Sequence, residues 1–270
     1  MSDASKDLNN AVQAAWESNA EWWDDSVGRE GNEFHRVLVA PAQMRLLGLT
    51  AGERVLEIAC GNGQFAREMA RAGAVVVASD FSEKFVERAR RHTEAEGLAN
   101  VDFHVADATD EAQLRALSAE PFDAAVCTMA MMDMAELAPM LRAVRRVLRS
   151  GGRFVFSVTH PCFQTEGARM FVEREDRDGE MVTVHGLRIT KYLTQEAHRG
   201  LGIIGQPEPH YYFDRPLSVL LGECFAAGFM LDGVEEPSFV GHDAPERPLS
   251  WDNYPEIPPV LVARLRPSAS

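Results

Sequence analysis

Across residues 7–23 the apolar positions Leu8, Val12, Ala15, Trp16, Ala20 and Trp23 recur at three- and four-residue spacing. This predicts a helix with one apolar side, ending at the polar stretch Asp24-Asp-Ser-Val-Gly-Arg-Glu-Gly. A second helix is expected over 34–47, stopping near Gly48. Short apolar runs then alternate with helical patterns. Strands are expected over 55–59, 74–79, 101–106, 122–127 and 153–158, and helices over 65–71, 82–96 and 137–148. Parallel strands joined this way need right-handed crossovers, so the pattern predicts an α/β fold, doubly wound, with an open, mostly parallel sheet.

After Val158 the alternation fails for about fifty residues, which is long for a connection without its own structure. An insertion is the economical reading. Residues 181–190 and 210–213 look extended, so a small β-rich cap is expected over 160–213. A helix over 216–227 begins beside Pro216 and ends at Gly228. Strands over 230–234 and 259–265 close the chain, joined by a proline-rich loop through Trp251 and Tyr254. The expected organisation is an N-terminal helical lid (1–48), an α/β core (49–159 and 214–270) and the inserted cap (160–213). The three tryptophans of the first helix, Trp16, Trp22 and Trp23, fit either packing onto the core or a lid closing over a ligand, and the two are compatible.

A chain of 270 residues with 46% hydrophobic and 25% charged residues suits a globular domain with elaborations. It has no apolar run long enough to cross a bilayer. The N-terminus has neither a basic start nor an apolar segment, so the cytoplasm is the default compartment. The net charge of −14 argues against a nucleic-acid partner. Cys60, Cys127, Cys162 and Cys224 are far apart, which suggests neither a metal site nor a disulfide framework; four reduced thiols are expected.

The chemistry is expected at the strand ends, where ligands of open α/β sheets sit. The first strand, Val-Leu-Glu-Ile, runs into a turn with Ala59, Cys60, Gly61 and Gly63, whose glycines free the backbone to lie against a ligand. Gly61-x-Gly63-x-x-Ala66, followed by Asp80, also fits a dinucleotide fingerprint, so a nicotinamide-dependent oxidoreductase stays open. So does a non-catalytic nucleotide-binding protein. Glu57 separates the readings, because a carboxylate just before the turn would repel a pyrophosphate and suits a cationic ligand.

Glu57-Ile-Ala-Cys-Gly-Asn-Gly63 resembles the first motif of the class I S-adenosylmethionine-dependent methyltransferases. The resemblance covers about residues 50–160. It recurs at Asp80 to Arg90, at Ala106-Asp-Ala108 and at Arg145-Arg-Val-Leu-Arg-Ser-Gly-Gly152. Ala59 departs from it, standing where the family usually has glycine. The resemblance implies a Rossmann-like, seven-stranded sheet whose last strand is antiparallel, and S-adenosyl-L-methionine as cofactor. Glu57 and the turn from Ala59 and Cys60 through Gly61 and Gly63 would hold the methionine moiety. Asp80 would hold the ribose, Asp107 and Ala108 the adenine, and Phe81 would stack beside the purine.

The stretch Cys127-Thr-Met-Ala-Met-Met-Asp-Met134, including Met129, would form a polarizable wall near the sulfonium methyl, with Asp133 as its polar exception, a candidate catalytic group placed to hold an acceptor amine or a water. His160 follows the fifth strand and is a candidate base, because histidine titrates near neutrality. His210 is a second candidate and His35 a third. The expected activity is methyl transfer to a small organic acceptor, at oxygen first, nitrogen second and carbon third. No nucleic-acid or membrane partner is expected, and a homodimer stays open. Methylation of a macromolecule is a lesser alternative.

Overall fold

The computed structural model of the chain describes residues 3–241 and 247–268. Helix α1 (Asp3–Val27) stops where Gly28 turns left-handed (φ 75°) and its N–H bonds to Asp24 O. The expected second helix is divided: His35–Val39 winds as a π-helical stretch before α2 (Ala40–Leu47). The core elements follow as β1 (Arg54–Ile58), α3 (Gln64–Arg71), β2 (Val75–Asp80), α4 (Glu83–Ala95) and β3 (Val101–Val105). Next come α5 (Glu111–Ala116), β4 (Phe122–Thr128), α6 (Ala138–Val147) and β5 (Leu148–Thr159). The sequence pattern did not reveal α5, a short helix started by Asp110, whose carboxylate accepts from the N–H groups of Ala112 and Gln113.

The segment after β5 supplies two separate hairpin pairs, β6 (Ala168–Arg177) with β7 (Glu180–Ile189), and β8 (Ala197–Gly200) with β9 (His210–Phe213). Helix α7 (Leu217–Ala226) leads into β10 (Phe229–Glu235) and β11 (Val260–Pro267). The main sheet has seven strands in the order β10-β11-β5-β4-β1-β2-β3. The last strand, β11, is antiparallel to both neighbours, as the resemblance implied.

Apolar side chains cover both faces of the sheet. Leu56, Ile58, Phe154 and Phe156 bury one face with α6 and α7, while Val55, Val76, Val126 and Val155 bury the other with α2, α3 and α4. A third cluster, Val12, Trp16 and Ala20 with Phe85, fastens α1 onto α4. Asn19 joins α1 to the segment before β9, donating to Glu208 O (2.7 Å) and accepting from Glu208 N–H (3.0 Å). The chain passes from β1 to β2 on one side and returns through β4 on the other. The switch point, and the crevice it opens, therefore lies at the ends of β1 and β4.

Candidate active site

A cleft of about 430 Å³ occupies that switch point. Glu57, Ala59, Cys60 and Gly61 line it from β1, Asp80 and Phe81 from β2, and Met129, Met132, Asp133 and Met134 from the end of β4. Trp16 and Trp23 of α1, His35, and His210 and Tyr212 of β9 close it. Most of the residues expected at the site are thus brought together. Gly63, Asp107, Ala108 and His160 are outside the lining.

The turn after β1 is built by its own backbone. Cys60 N–H bonds to Ser79 O, and Gly63 N–H to Cys60 O, both at 2.9 Å. Gly63 (φ 74°) serves packing: a Cβ there would come within 2.9 Å of Ala89 and Phe103. Gly61 (φ 52°) differs, because a Cβ there would meet nothing within 4 Å and would project into the cleft. Ala59 adopts φ 56°, a left-handed conformation that favours glycine, so the family's usual residue has a backbone reason at this position.

Asp80 works for the turn as well as facing the cleft. Its Oδ2 accepts from Gly61 N–H and its Oδ1 from Ser82 N–H, both at 2.9 Å. Burial pushes its pKa up to about 6. Glu57 is 1% exposed, and burial raises its pKa to about 8, with the nearby Arg67 opposing and Asp80 adding to the shift. Its Oε2 is buried without a hydrogen-bond partner.

Unpartnered polar atoms concentrate here. Besides Glu57 Oε2, Trp16 Nε1 and Asp133 Oδ1 are buried without a hydrogen bond, and all three residues line the cleft. Leaving such groups unmatched costs about 1–3 kcal/mol each. Their convergence on one cavity marks a place shaped for a polar ligand. Burial also holds Asp133 well above the usual carboxylate range.

His210 faces this carboxylate, with Nε2 4.0 Å from Asp133 Oδ1. Gln206 decides its tautomer. The Gln206 Oε1 accepts from Gly202 N–H (3.1 Å), so its amide nitrogen donates, to Glu208 O (2.6 Å) and to His210 Nδ1 (2.9 Å). The His210 proton therefore sits on Nε2, which is a donor towards Asp133 and the cleft. Burial lowers the His210 pKa to about 4. The second-ranked base candidate is thus built as a hydrogen-bond donor.

His35 donates from Nδ1 to Asn32 Oδ1 (2.8 Å), and burial lowers its pKa to about 4. His160 lies elsewhere. It is 2% exposed, its Nδ1 accepts from Cys162 N–H (3.1 Å), and its Nε2 reaches Glu236 Oε1 (2.8 Å). Both ring nitrogens are occupied in ordering the loop after β5. Asp107 Oδ1 accepts from the N–H and the hydroxyl of Thr109, both at 2.7 Å, in a local turn beyond β3. Its neighbour Ala108 packs in the core.

Several groups at the site carry no sequence signal. Gln206 orients His210, and Arg215 braces the Met131–Ala135 stretch by donating to Met134 O (2.7 Å) and Ala135 O (3.0 Å). Asn62 of the glycine turn donates to Asp24 Oδ1 (2.8 Å), and Asp24 also accepts from Arg88 (2.7 Å), so the end of α1 is clamped over the turn. The Arg215, Asn62 and Arg88 contacts span long stretches of chain, out of reach of any local motif, while the Gln206–His210 contact is local but belongs to no recognisable pattern. Among the described residues no group of three or more His, Cys, Asp or Glu side chains is placed to hold a metal ion. No helix among them is long and apolar enough to cross a membrane. All four cysteines are free.

Residues 49–196 match the family model described as a methyltransferase domain. A ubiquinone biosynthesis O-methyltransferase of Acinetobacter baylyi is 30% identical over 142 residues, covering 51% of this chain and 57% of that protein. The chain thus spans little more than half the length of such curated relatives. An uncharacterized protein of Haemophilus influenzae is 25% identical over 237 residues, covering 86% of this chain and 88% of that protein. Among solved structures, an S-adenosylmethionine-dependent methyltransferase of Mesorhizobium loti superposes with a TM-score of 0.66 at 24% identity, covering 88% of this chain and all of that one.

Proposed function

The chain belongs to the methyltransferase-domain family, and from that premise we propose that it moves a methyl group from S-adenosyl-L-methionine to a hydroxyl oxygen of a small organic acceptor. The observation that carries this reading is the buried Glu57 carboxyl group at the switch point, whose Oε2 has no hydrogen-bond partner, in the same cleft as Asp80 and Asp133. Carboxyl groups that burial pushes towards the protonated form gain most from a ligand that stabilises their ionised form, so three of them lining one cleft favour a ligand with a cationic end over a pyrophosphate. That weighs against the nicotinamide alternative.

The residues fit the cofactor. Glu57 Oε2 would accept from its ammonium group, and the open backbone at Gly61 would lie along its amino-acid tail. Asp80, whose oxygens each hold one backbone N–H, keeps lone pairs for ribose hydroxyls. Phe81 would lie beside the purine. When bound, S-adenosylmethionine supplies an electrophilic methyl on a positively charged sulfur. Met129, Met132 and Met134 would form an apolar wall there, excluding water from a step that consumes charge.

Asp133 would take the acceptor's proton as the oxygen attacks. Its raised pKa makes its ionised form a stronger base than an ordinary carboxylate. The Nε2–H of His210, 4.0 Å away, would orient the acceptor oxygen or the ionised Asp133. Oxygen is favoured because this pair offers one base and one donor, the complement of a hydroxyl. The named O-methyltransferase relative points the same way.

The test is transfer of radiolabelled methyl from S-adenosylmethionine to a panel of phenols, aliphatic alcohols, amines and carbon acids. Label in base-stable ethers of low molecular mass is the expected result. Label confined to amine or carbon products would reject oxygen, and label retained in protein or RNA of a cell extract would reject a small acceptor.

A further inference from the structure

A second cavity of about 530 Å³ adjoins the cleft, and the two share Thr159, Gln164, Leu201, Tyr212 and Trp251 in their walls. It lies over β6, β7 and β8, where Met170 and Leu187 add apolar surface. Its basic groups are Arg169, His198 and Arg199. Arg199 is committed, donating to Pro209 O, lying 3.8 Å from Glu208 and covering the Tyr211 ring. His198 stacks on Tyr212 (5.3 Å between ring centroids) and sits 3.7 Å from Asp214, its Nδ1 buried without a hydrogen bond.

Arg169 is different. Its Nη1 donates to Glu166 O (2.7 Å) and Ala168 O (2.6 Å), which fixes the guanidinium in place. The Nε–Nη2 edge, which pairs with carboxylates through two parallel hydrogen bonds, has no partner among the described residues. Among the described residues no carboxylate comes within 4.0 Å of Arg169; Glu166, the nearby carboxylate whose charge it feels, is paired with Lys191 at 2.6 Å. In a chain of net charge −14 that contains 41 acidic residues, an immobilised arginine with its bidentate edge free beside a cavity is an unmatched feature.

We propose that this second cavity receives the far end of the methyl acceptor, and that the acceptor is an organic acid whose carboxylate docks on Arg169. This deepens the reading given under Proposed function and rests on it. Tyr212 and Trp251, shared by both cavities, would flank the apolar middle of the molecule, while its hydroxyl reaches Asp133 in the first. A single carboxylate fits better than a phosphate. Glu166 and Asp214 also line the cavity and would repel a dianion.

The experiment is calorimetric titration of the full chain, with and without S-adenosylhomocysteine, using 4-hydroxyphenylalkanoic acids of increasing chain length and their primary amides. The expected result is a preference of about tenfold for the acid over its amide at the chain length that spans both cavities. Arg169→Met should reduce that preference to within about twofold, and Arg169→Lys, which keeps the charge and loses the fork, should retain part of it. Arg169 is exposed, so both variants should melt as the parent does and bind S-adenosylhomocysteine unchanged. Equal binding of acid and amide, no binding by any member of the series, or a preference surviving in Arg169→Met would overturn the proposal. Failure of S-adenosylhomocysteine to bind would instead sink the methyltransferase reading, with the acid–amide comparison on the free protein still decisive for the cavity.

Discussion

Ala59 and Met129 hold left-handed backbone, φ 56° and 51°, at the ends of the adjacent strands β1 and β4, and both line the cleft. Of the three non-glycine residues with positive φ among those described, the third, Asp178, lies in the β6–β7 hairpin turn. Met129 is held in place by Ser157, whose carbonyl and hydroxyl oxygens both accept from its N–H at 3.0 Å. Strain of this kind persists where surrounding structure over-determines it, and here it aims both strand ends into the proposed cofactor site.

Replacing Ala59 by glycine should remove most of this strain. A left-handed alanine costs about 1–2 kcal/mol, partly offset by the greater unfolded-state freedom of glycine. Ala59→Gly is therefore expected to stabilise the protein by up to about 1 kcal/mol, read by urea denaturation. A clear loss of stability would show that the methyl group packs usefully.

Glu57 should make stability fall with rising pH. Its folded pKa of about 8 lies above the ordinary 4.5. Below pH 4.5 both folded and unfolded chains hold the proton; between 4.5 and 8 only the folded chain does. Ionisation of the unfolded state then costs the fold up to about 1.4 kcal/mol per pH unit. Glu57→Gln should gain stability over the parent progressively between pH 5 and 8, by about 2 kcal/mol or more at the upper end, and lose affinity for S-adenosylhomocysteine. Parallel melting curves across this range would remove the buried, neutral Glu57 from the explanation.

His160 is expected to matter for stability and not for the chemical step. His160→Ala leaves the Cys162 N–H and Glu236 without their partner and removes a ring 4.5 Å from Phe163. The expected loss is about 2 kcal/mol, with KM, kcat and cofactor affinity nearly intact in the folded fraction. A large fall in kcat at unchanged melting temperature would restore it as a base candidate.

Asp133→Asn separates base catalysis from mere positioning. Removing a general base typically costs about 10²–10⁴ in rate. The parent's activity should rise with pH as Asp133 ionises, at a pH above the ordinary carboxylate range, and the variant should lack that limb. Unaltered S-adenosylhomocysteine binding would confirm an intact cofactor site. A variant with full activity and the parental pH profile would exclude Asp133 as the base.

The sheet was legible because its strands are bounded apolar runs, and Glu57 and Asp80 because their place at strand ends is itself a sequence feature. Helix α5 escaped, having only six residues, too few to display a period. Strand β6 escaped too: its outer half, Glu173 to Arg177, is charged and exposed, and it is a strand by virtue of pairing with β7. The roles of His160 and His210 could not be read locally. Glu236 lies 76 residues from the first, and the tautomer of the second depends on which way the Gln206 amide faces. Arg169 gave no signal at all, since its free edge is defined by partners it does not have.

A buried, protonated Glu57 is expected to ionise as it receives the ammonium group of the cofactor. Calorimetric titration with S-adenosylhomocysteine at pH 6.5, in two buffers of different ionisation enthalpy, measures the protons exchanged on binding. Saturable binding with release of about one proton, and no comparable binding of NAD, is the predicted result. Binding without proton release, or preferential binding of NAD, would contradict it.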